Sequence, residues 1–266
     1  LSGFPSNNAG GLSGRADDSI IQNIHVRGID MTAGDLSGGL VGESINSTIR
    51  HVSTEGTLSN RSGTDASGGL IGEATNTTIS DAASHINFIN KDSSISGGTS
   101  SIGGIVGNAS HCRIKEIYAD GFLDYSQTPP LVSFNYVGGL VGTMSNTFLA
   151  NGYYAGKISM NPLSQYVDYL GGAVGIAVGC VTENIFWDTK VSGLSVSAAG
   201  IGKTTAQLKK KVLWIKRGFD PHFWLINANQ YPTLVGIDLS NGIAKGNYLI
   251  KIYTDKGTAI EKVIKQ

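Results

Sequence analysis

The chain has 266 residues, 40% of them hydrophobic and 15% charged, with 20 basic and 20 acidic side chains. That is enough apolar material for a continuous core, yet no run of about 18 apolar residues, the length that marks a membrane-crossing helix, occurs. The zero net charge hides an asymmetry: residues 1–195 hold 9 Lys and Arg against 16 Asp and Glu, and residues 196–266 hold 11 against 4, so the two parts carry −7 and +7. Solvated surfaces account for such a split, and so does head-to-tail attraction between molecules or docking of the basic end on an anionic cell surface.

Residues 1–11, LSGFPSNNAGG, carry neither the basic nor the apolar segment of a signal peptide, as a processed chain would show. From Gly10 onward a glycine pentad recurs: GGLSG at 10–14, GGLVG at 38–42, GGLIG at 68–72, GGIVG at 103–107, GGLVG at 138–142 and GGAVG at 171–175. The steps between first glycines are 28, 30, 35, 35 and 33 residues, a period that marks a stacked repeat array. Nine residues after each first glycine stands a small side chain: Ser19, Ser47, Thr77, Cys112, Thr147 and Cys180. Two residues further come Ile21, Ile49, Ile79, Ile114, Leu149 and Thr182. Residues two apart face the same way in a strand. Glycine, Ser, Thr and Asn in these amounts disfavour helix. The expected fold is therefore all-β: a parallel β-solenoid (β-helix) of about six coils with about three short strands per coil. The glycines expected to shape it, by bending a corner or packing tightly on the next coil, are Gly38, Gly42, Gly68, Gly72, Gly103, Gly107, Gly138, Gly142, Gly171 and Gly175. Cys112 and Cys180 fall two rungs apart, roughly 10 Å at a stacking distance of about 4.8 Å, which is too far for a disulfide.

The pentad, followed by Ser or Thr, then Ile, then Gly, resembles the GLUG repeat of bacterial surface proteins, including large adhesins and non-catalytic stretches of IgA-peptidase-like proteins. The resemblance covers about residues 10–235. It implies a secreted or surface-exposed repeat module.

The insertions between coils come next in the chain. Residues 90–101 are rich in Ser and Gly and read as a loop, while 124–136 and 159–169 carry aromatics. Tyr125, Phe134, Tyr136, Tyr166 and Tyr169 come from equivalent places in successive coils. They form the candidate ligand-binding patch, suited to sugar rings or, equally, to packing of the loops on the rod. At residues 183–193, Phe186, Trp187 and Asp188 resemble the FWD/YWD signature that closes GLUG arrays. Thr204 or Thr205 is placed to cap a helix over 206–214, with Leu208, Val212 and Ile215 on one face. Phe219, Trp224, Tyr231 and Pro232 match that family's closing pattern, and Trp187, Trp214, Trp224 and Tyr231 are expected to cover the open end of the last coil. A phosphate loop is excluded, because the glycine it needs five residues before Gly202 is Ser197. Residues 248–253 and 258–264 read as two strands of a hairpin turning at 254–257. This tail resembles the end of the type IX secretion C-terminal signal domain of Bacteroidetes, which implies export across an outer membrane and the secretion machinery as a partner. A lone hairpin is marginal, so it must pair with the solenoid edge or with another chain.

The expected organisation is thus a solenoid over 1–195, a capping segment over 196–236 and a C-terminal hairpin over 237–266. Acidic residues are spread singly apart from Asp17 and Asp18, and the five histidines form no HExxH. No catalytic residue, metal ligand or cofactor is therefore expected, nor a nucleic-acid partner. The expected role is a non-catalytic extracellular or cell-surface adhesin binding glycan or host protein. The alternatives are a self-assembling filament subunit joined head to tail and, as a third class, a polysaccharide-active β-helix enzyme.

Overall fold

Backbone packing between successive repeats decides this architecture. The computed structural model describes residues 8–32, 34–60, 65–90, 100–125, 135–160, 169–237, 246–254 and 257–265. The chain is all-β, 61% strand and 7% helix, and its parallel sheets wind into a β-solenoid of about four turns. The first sheet holds Asn8–Gly10, Leu36–Gly38, Ala66–Gly68, Ser100–Gly103, Asn135–Gly138 and Tyr169–Gly171, each strand ending on the first glycine of a pentad. The second begins three or so residues later with Ser13–Asp17, Val41–Ile45, Ile71–Thr75, Val106–Ser110, Val141–Ser145 and Val174–Val178. The third is the longest, running from Ile20–Thr32 through Thr48–Asn60, Thr78–Asn90, Arg113–Ala119 and Phe148–Tyr154 to Val181–Asp188.

The pentad glycines serve close approach. A Cβ on Gly38 would stand 2.0 Å from the Val41 carbonyl oxygen and 2.4 Å from that of Leu70. One on Gly68 would meet Ile71 at 1.8 Å and Ile105 at 2.7 Å, and one on Gly72 would meet the Gly42 oxygen at 2.6 Å. None of the ten glycines singled out in the sequence has a positive φ, so the need is for space and not for a left-handed bend. Between them Leu40, Leu70, Ile105, Leu140 and Ala173 point inward and are fully buried.

The left-handed corners fall elsewhere. Asp18, Asn46, Asn76, His111, Asn146 and Gly179 all have positive φ where the second sheet turns into the third. Asn and Asp tolerate this region better than other side chains. Behind each corner the small residue bonds back two positions: Ser19 to the Asp17 carbonyl at 2.7 Å, Ser47 to Ile45 at 2.7 Å, and Thr77 to Thr75 at 3.0 Å. Cys112 Sγ reaches Ser110 at 3.2 Å, Thr147 reaches Ser145 at 2.9 Å, and Cys180 Sγ reaches Val178 at 3.3 Å. The two cysteines are free thiols doing what a hydroxyl does on the other rungs.

The closing segments differ from the sequence reading. Trp187 does lie at the end of the rod, its ring over Gly172 and its Nε1 donating to the Leu194 carbonyl at 3.0 Å. The last pentad is sealed by the following segment, where Ser197 Oγ accepts from the Ala173 and Val174 amides. Trp214, Trp224 and Tyr231, by contrast, pack on the flank of the third sheet. Its outward column of Ala83, Tyr118, Tyr153 and Phe186 forms a second core with Leu208, Trp214, Phe219 and Trp224. Tyr153 stacks on Tyr118 at 5.3 Å and on Tyr231 at 5.8 Å, and donates to the Pro232 carbonyl at 2.6 Å. Aromatic side chains on the outside of a strand need cover, and these rungs draw the closing segment sideways.

The expected single helix is broken in two after one turn. Helix α1 is Thr189–Ser192, α2 is Thr205–Leu208 with a Thr204–Gln207 capping box, and α3 is Lys211–Lys216. Leu208 and Trp214 face the core, whereas Val212 and Ile215 are 53% and 56% exposed, because the break at Lys209 and Lys210 rotates the face. Asp188 ties α1 to the flank. Burial pushes its carboxyl up, but hydrogen bonds from Tyr231, Thr205 and the Val191 and Lys190 amides outweigh this and hold it below the usual carboxylate range. The final strands, Gly246–Thr254 and Gly257–Lys265, pair antiparallel, and the first meets the starting strand of the third sheet at Tyr253 and Ile20.

Gly68→Ala should cost about 1–3 kcal/mol or more, as over-packing does. Gly193→Ala, whose Cβ would meet nothing within 4 Å, should cost only the roughly 1 kcal/mol of its left-handed conformation. Urea midpoints at constant m-value separate the two.

Candidate functional site

One residue per rung, thirteen positions after each first glycine, adopts a left-handed conformation inside the third sheet: Asn23, His51, Asp81, Glu116, Asn151 and Asn184. The kink breaks the strict alternation, so this residue and the one before it share a face, and in the first four repeats each rung presents two polar side chains side by side. The preceding positions pair in register as Gln22, Arg50, Ser80 and Lys115. Ser80 is short between two long cationic neighbours, and the notch it leaves is walled by Phe223 of the flanking segment. The result is an open groove of about 450 Å³, lined also by Asn23, His51 and Asp81.

Its polar groups are held in place. His51 Nδ1 and Asp81 Oδ2 are 2.6 Å apart, while Asp81 Oδ1 is buried with no hydrogen-bond partner. Arg50, which lines the groove, donates from Nε to Gln22 Oε1 at 2.8 Å. The Lys115 ammonium lies 5.8 Å from the Phe223 ring centre. Among the described residues neither Arg50 nor Lys115 forms an ion pair with a carboxylate, although Arg15 and Arg27 do. Beyond the groove, Glu116 is buried, accepting from Asn151 Nδ2 at 2.8 Å and from Trp224 Nε1. Next to His51, burial, then His51 and Arg27, pull the His25 imidazole below its ordinary pKa, and its Nδ1 meets Ser53 Oγ at 2.7 Å.

The aromatic patch is brought together only in part. Tyr136 and Tyr169 occupy register-matched positions of the first sheet and stack at 5.4 Å, with Tyr169 44% exposed. Because the rings stack along the rod, each spends one face on the other. Tyr125 ends a different segment, Leu123–Tyr125, paired within the third sheet, so its backbone is not in line with that pair. Phe134 and Tyr166 lie outside the described residues. The acidic residues are less scattered than the sequence suggested. Glu43 and Glu73 are register partners on the second sheet. Burial, with the Glu43 charge, raises the Glu73 carboxyl, while Glu43 itself accepts from Asn8 at 2.8 Å and Arg15 at 3.1 Å. Among the described residues no three His, Cys, Asp or Glu converge as metal ligands. The groove was missed because its residues look unrelated in sequence, and only alignment on the twelfth and thirteenth positions of the repeat would have joined them.

No family model matches the chain. A stretch of 97 residues, 36% of the chain, is 31% identical to a protein of Evansella cellulosilytica described as "Putative Gly-rich membrane protein". The chain spans about a tenth of that relative's length, 11%. No helix among the described residues is long and apolar enough to cross a membrane.

Removing the imidazole tests how the groove is held. His51→Ala leaves a largely buried Asp81 without its partner and should destabilise the protein by roughly 1–3 kcal/mol. Adding Asp81→Ala should recover part of that loss. A urea double-mutant cycle reads the coupling directly.

Proposed function

We propose that this chain is a non-catalytic, extracellular binding module of a bacterial surface protein or adhesin, of the GLUG-repeat kind, and that its ligand is a glycan. The observation that carries this reading is the groove over Ser80, where an aromatic wall faces hydrogen-bonding side chains set in register. Such a mixture of one apolar surface and several oriented polar groups suits the faces and hydroxyls of a sugar. A solenoid also repeats its outward positions at the rung spacing, which matches a polymeric ligand better than a single small molecule. Each pentad is read as one coil, six in all, supported by register pairing from Gly10 and Gly38 through Gly138 and Gly171.

A binding role is favoured over turnover by what the carboxylates already do. Asp81 is engaged by His51, Glu116 by Asn151 and Trp224, and Glu43 by Arg15 and Asn8. Each secures the framework. Export by a type IX route fits a surface module and is proposed on the tail resemblance alone.

A second reading, a subunit that assembles end to end, rests on the hairpin. It pairs with the starting edge of the third sheet through Tyr253 and Ile20, and the same edge of another copy offers the same backbone groups.

The test is a glycan array followed by product analysis. Retention of one or more glycans with no cleavage after long incubation, unchanged by Glu73→Gln, is the expected result. Released products that disappear in Glu73→Gln would make the chain an enzyme. For the assembly reading, negative-stain microscopy should show fibres with the full chain and none from a chain ending at Gly236. Single short rods in both would remove it.

A further inference from the structure

We infer that the groove over Ser80 is a site for an acidic saccharide, a uronate-bearing chain whose carboxylates are taken by Arg50 and Lys115. The inference rests on the glycan-binding reading above and names the class of sugar.

The argument starts from charge. Residues 1–195 carry a net −7, so an unmatched pair of cations on this part of the chain runs against the local trend. Arg50 and Lys115 are two rungs apart on one register column, about 10 Å at the usual strand spacing. Between them Ser80 keeps the floor low and supplies a hydroxyl. Two like charges flanking a notch repel one another, and among the described residues no carboxylate relieves them. The adjoining column holds two carboxylates: Asp81, committed to His51, and Glu116, buried and accepting from Asn151 and Trp224. Both carboxylates are thus engaged elsewhere, and the two cations reach the groove without an ion-pair partner among the described residues.

Geometry narrows the ligand further. The Arg50 guanidinium is oriented by Gln22 through Nε, which leaves its other edge able to take a carboxylate with two parallel bonds. Lys115 is positioned against the Phe223 ring and offers a single mobile charge. A chain with acidic groups on alternate or successive sugars meets both cations at once, lays a sugar face near Phe223, and finds the Asn23 amide at the rim. A neutral sugar would replace the water on the two cations with hydroxyl hydrogen bonds but bring no opposite charge, and charge-assisted bonds are the stronger ones. A compact anion would satisfy one cation only.

The experiment is calorimetric titration of the full chain with tetragalacturonate, cellotetraose and a heparin tetrasaccharide, repeated for Arg50→Ala/Lys115→Ala and for Tyr136→Ala/Tyr169→Ala. Circular dichroism and melting curves confirm that each variant folds. The inference expects tetragalacturonate to bind, to weaken at least tenfold in the Arg50/Lys115 variant and with rising salt, and to be unaffected in the tyrosine variant. Preference for heparin with the same loss would place sulfate where carboxylate is claimed and overturn the uronate assignment. Binding of cellotetraose that survives the Arg50/Lys115 variant, with no affinity for the acidic probes, would overturn the inference and leave glycan binding standing. Absence of binding by every saccharide, here and on the array, would remove both.

Discussion

Everything in this molecule depends on how closely one turn of backbone lies on the next. At the pentads a carbonyl oxygen of the neighbouring turn occupies the space where a side chain would begin, 2.4 Å from the position of a Gly38 Cβ and 2.3 Å from that of Gly39. Glycine is the only residue that admits this contact. Once it forms, register is fixed at one point per turn, and every residue counted from that point falls into a column. The buried aliphatics, the small residues that close the corner, and the outward polar pairs are consequences of one steric condition. The apolar columns supply the stabilisation, and the glycines specify which apolar residue meets which.

The same register makes function cheap to encode. A column is a one-dimensional site whose composition changes one residue at a time along the rod. On the third sheet the column fifteen residues after each pentad starts with His25 and Ser53, becomes Ala83, and continues as Tyr118, Tyr153 and Phe186. Its aromatic half recruits the closing segment to the flank. That places Phe223 opposite the polar columns and converts a flat ladder into a groove. The second core and the candidate binding site are thus joined: Trp224, next to Phe223, is anchored by the buried Glu116 of the same kinked column that bears His51 and Asp81.

The fold class was legible because the period, the inward small-aliphatic pair and the glycines are local signals that repeat. The helix over 206–214 was half legible. Thr204 is the N-cap, one of the two candidates, in a box with Gln207 that was not foreseen, and nothing local announces the break at Lys209 and Lys210, which accompanies packing of Leu208 and Trp214 into the second core. The position of Trp214, Trp224 and Tyr231 was not legible, since covering the rod's end and covering its flank demand the same apolar residues. The groove was hidden for a related reason. Arg50, Ser80 and Lys115 lie 30 and 35 residues apart, and a search for clustered residues in sequence passes over them. Left-handed Asn, Asp and His were visible as residue types, but the equivalent role of Glu116 was not, because that side chain carries no such preference.

Register is the claim on which the rest stands, and disulfide trapping measures it most directly. In a chain with Cys112→Ser and Cys180→Ser, introducing Thr75→Cys with Ser110→Cys joins two outward positions that are register partners on the second sheet. Partners on adjacent strands lie within the separation a disulfide spans, whereas positions two rungs apart do not. Rapid oxidation of the Thr75/Ser110 pair, with none for Thr75→Cys combined with Ser145→Cys, is the result expected here. Efficient trapping of the second pair, or of neither, would contradict the stacked register and every column built on it.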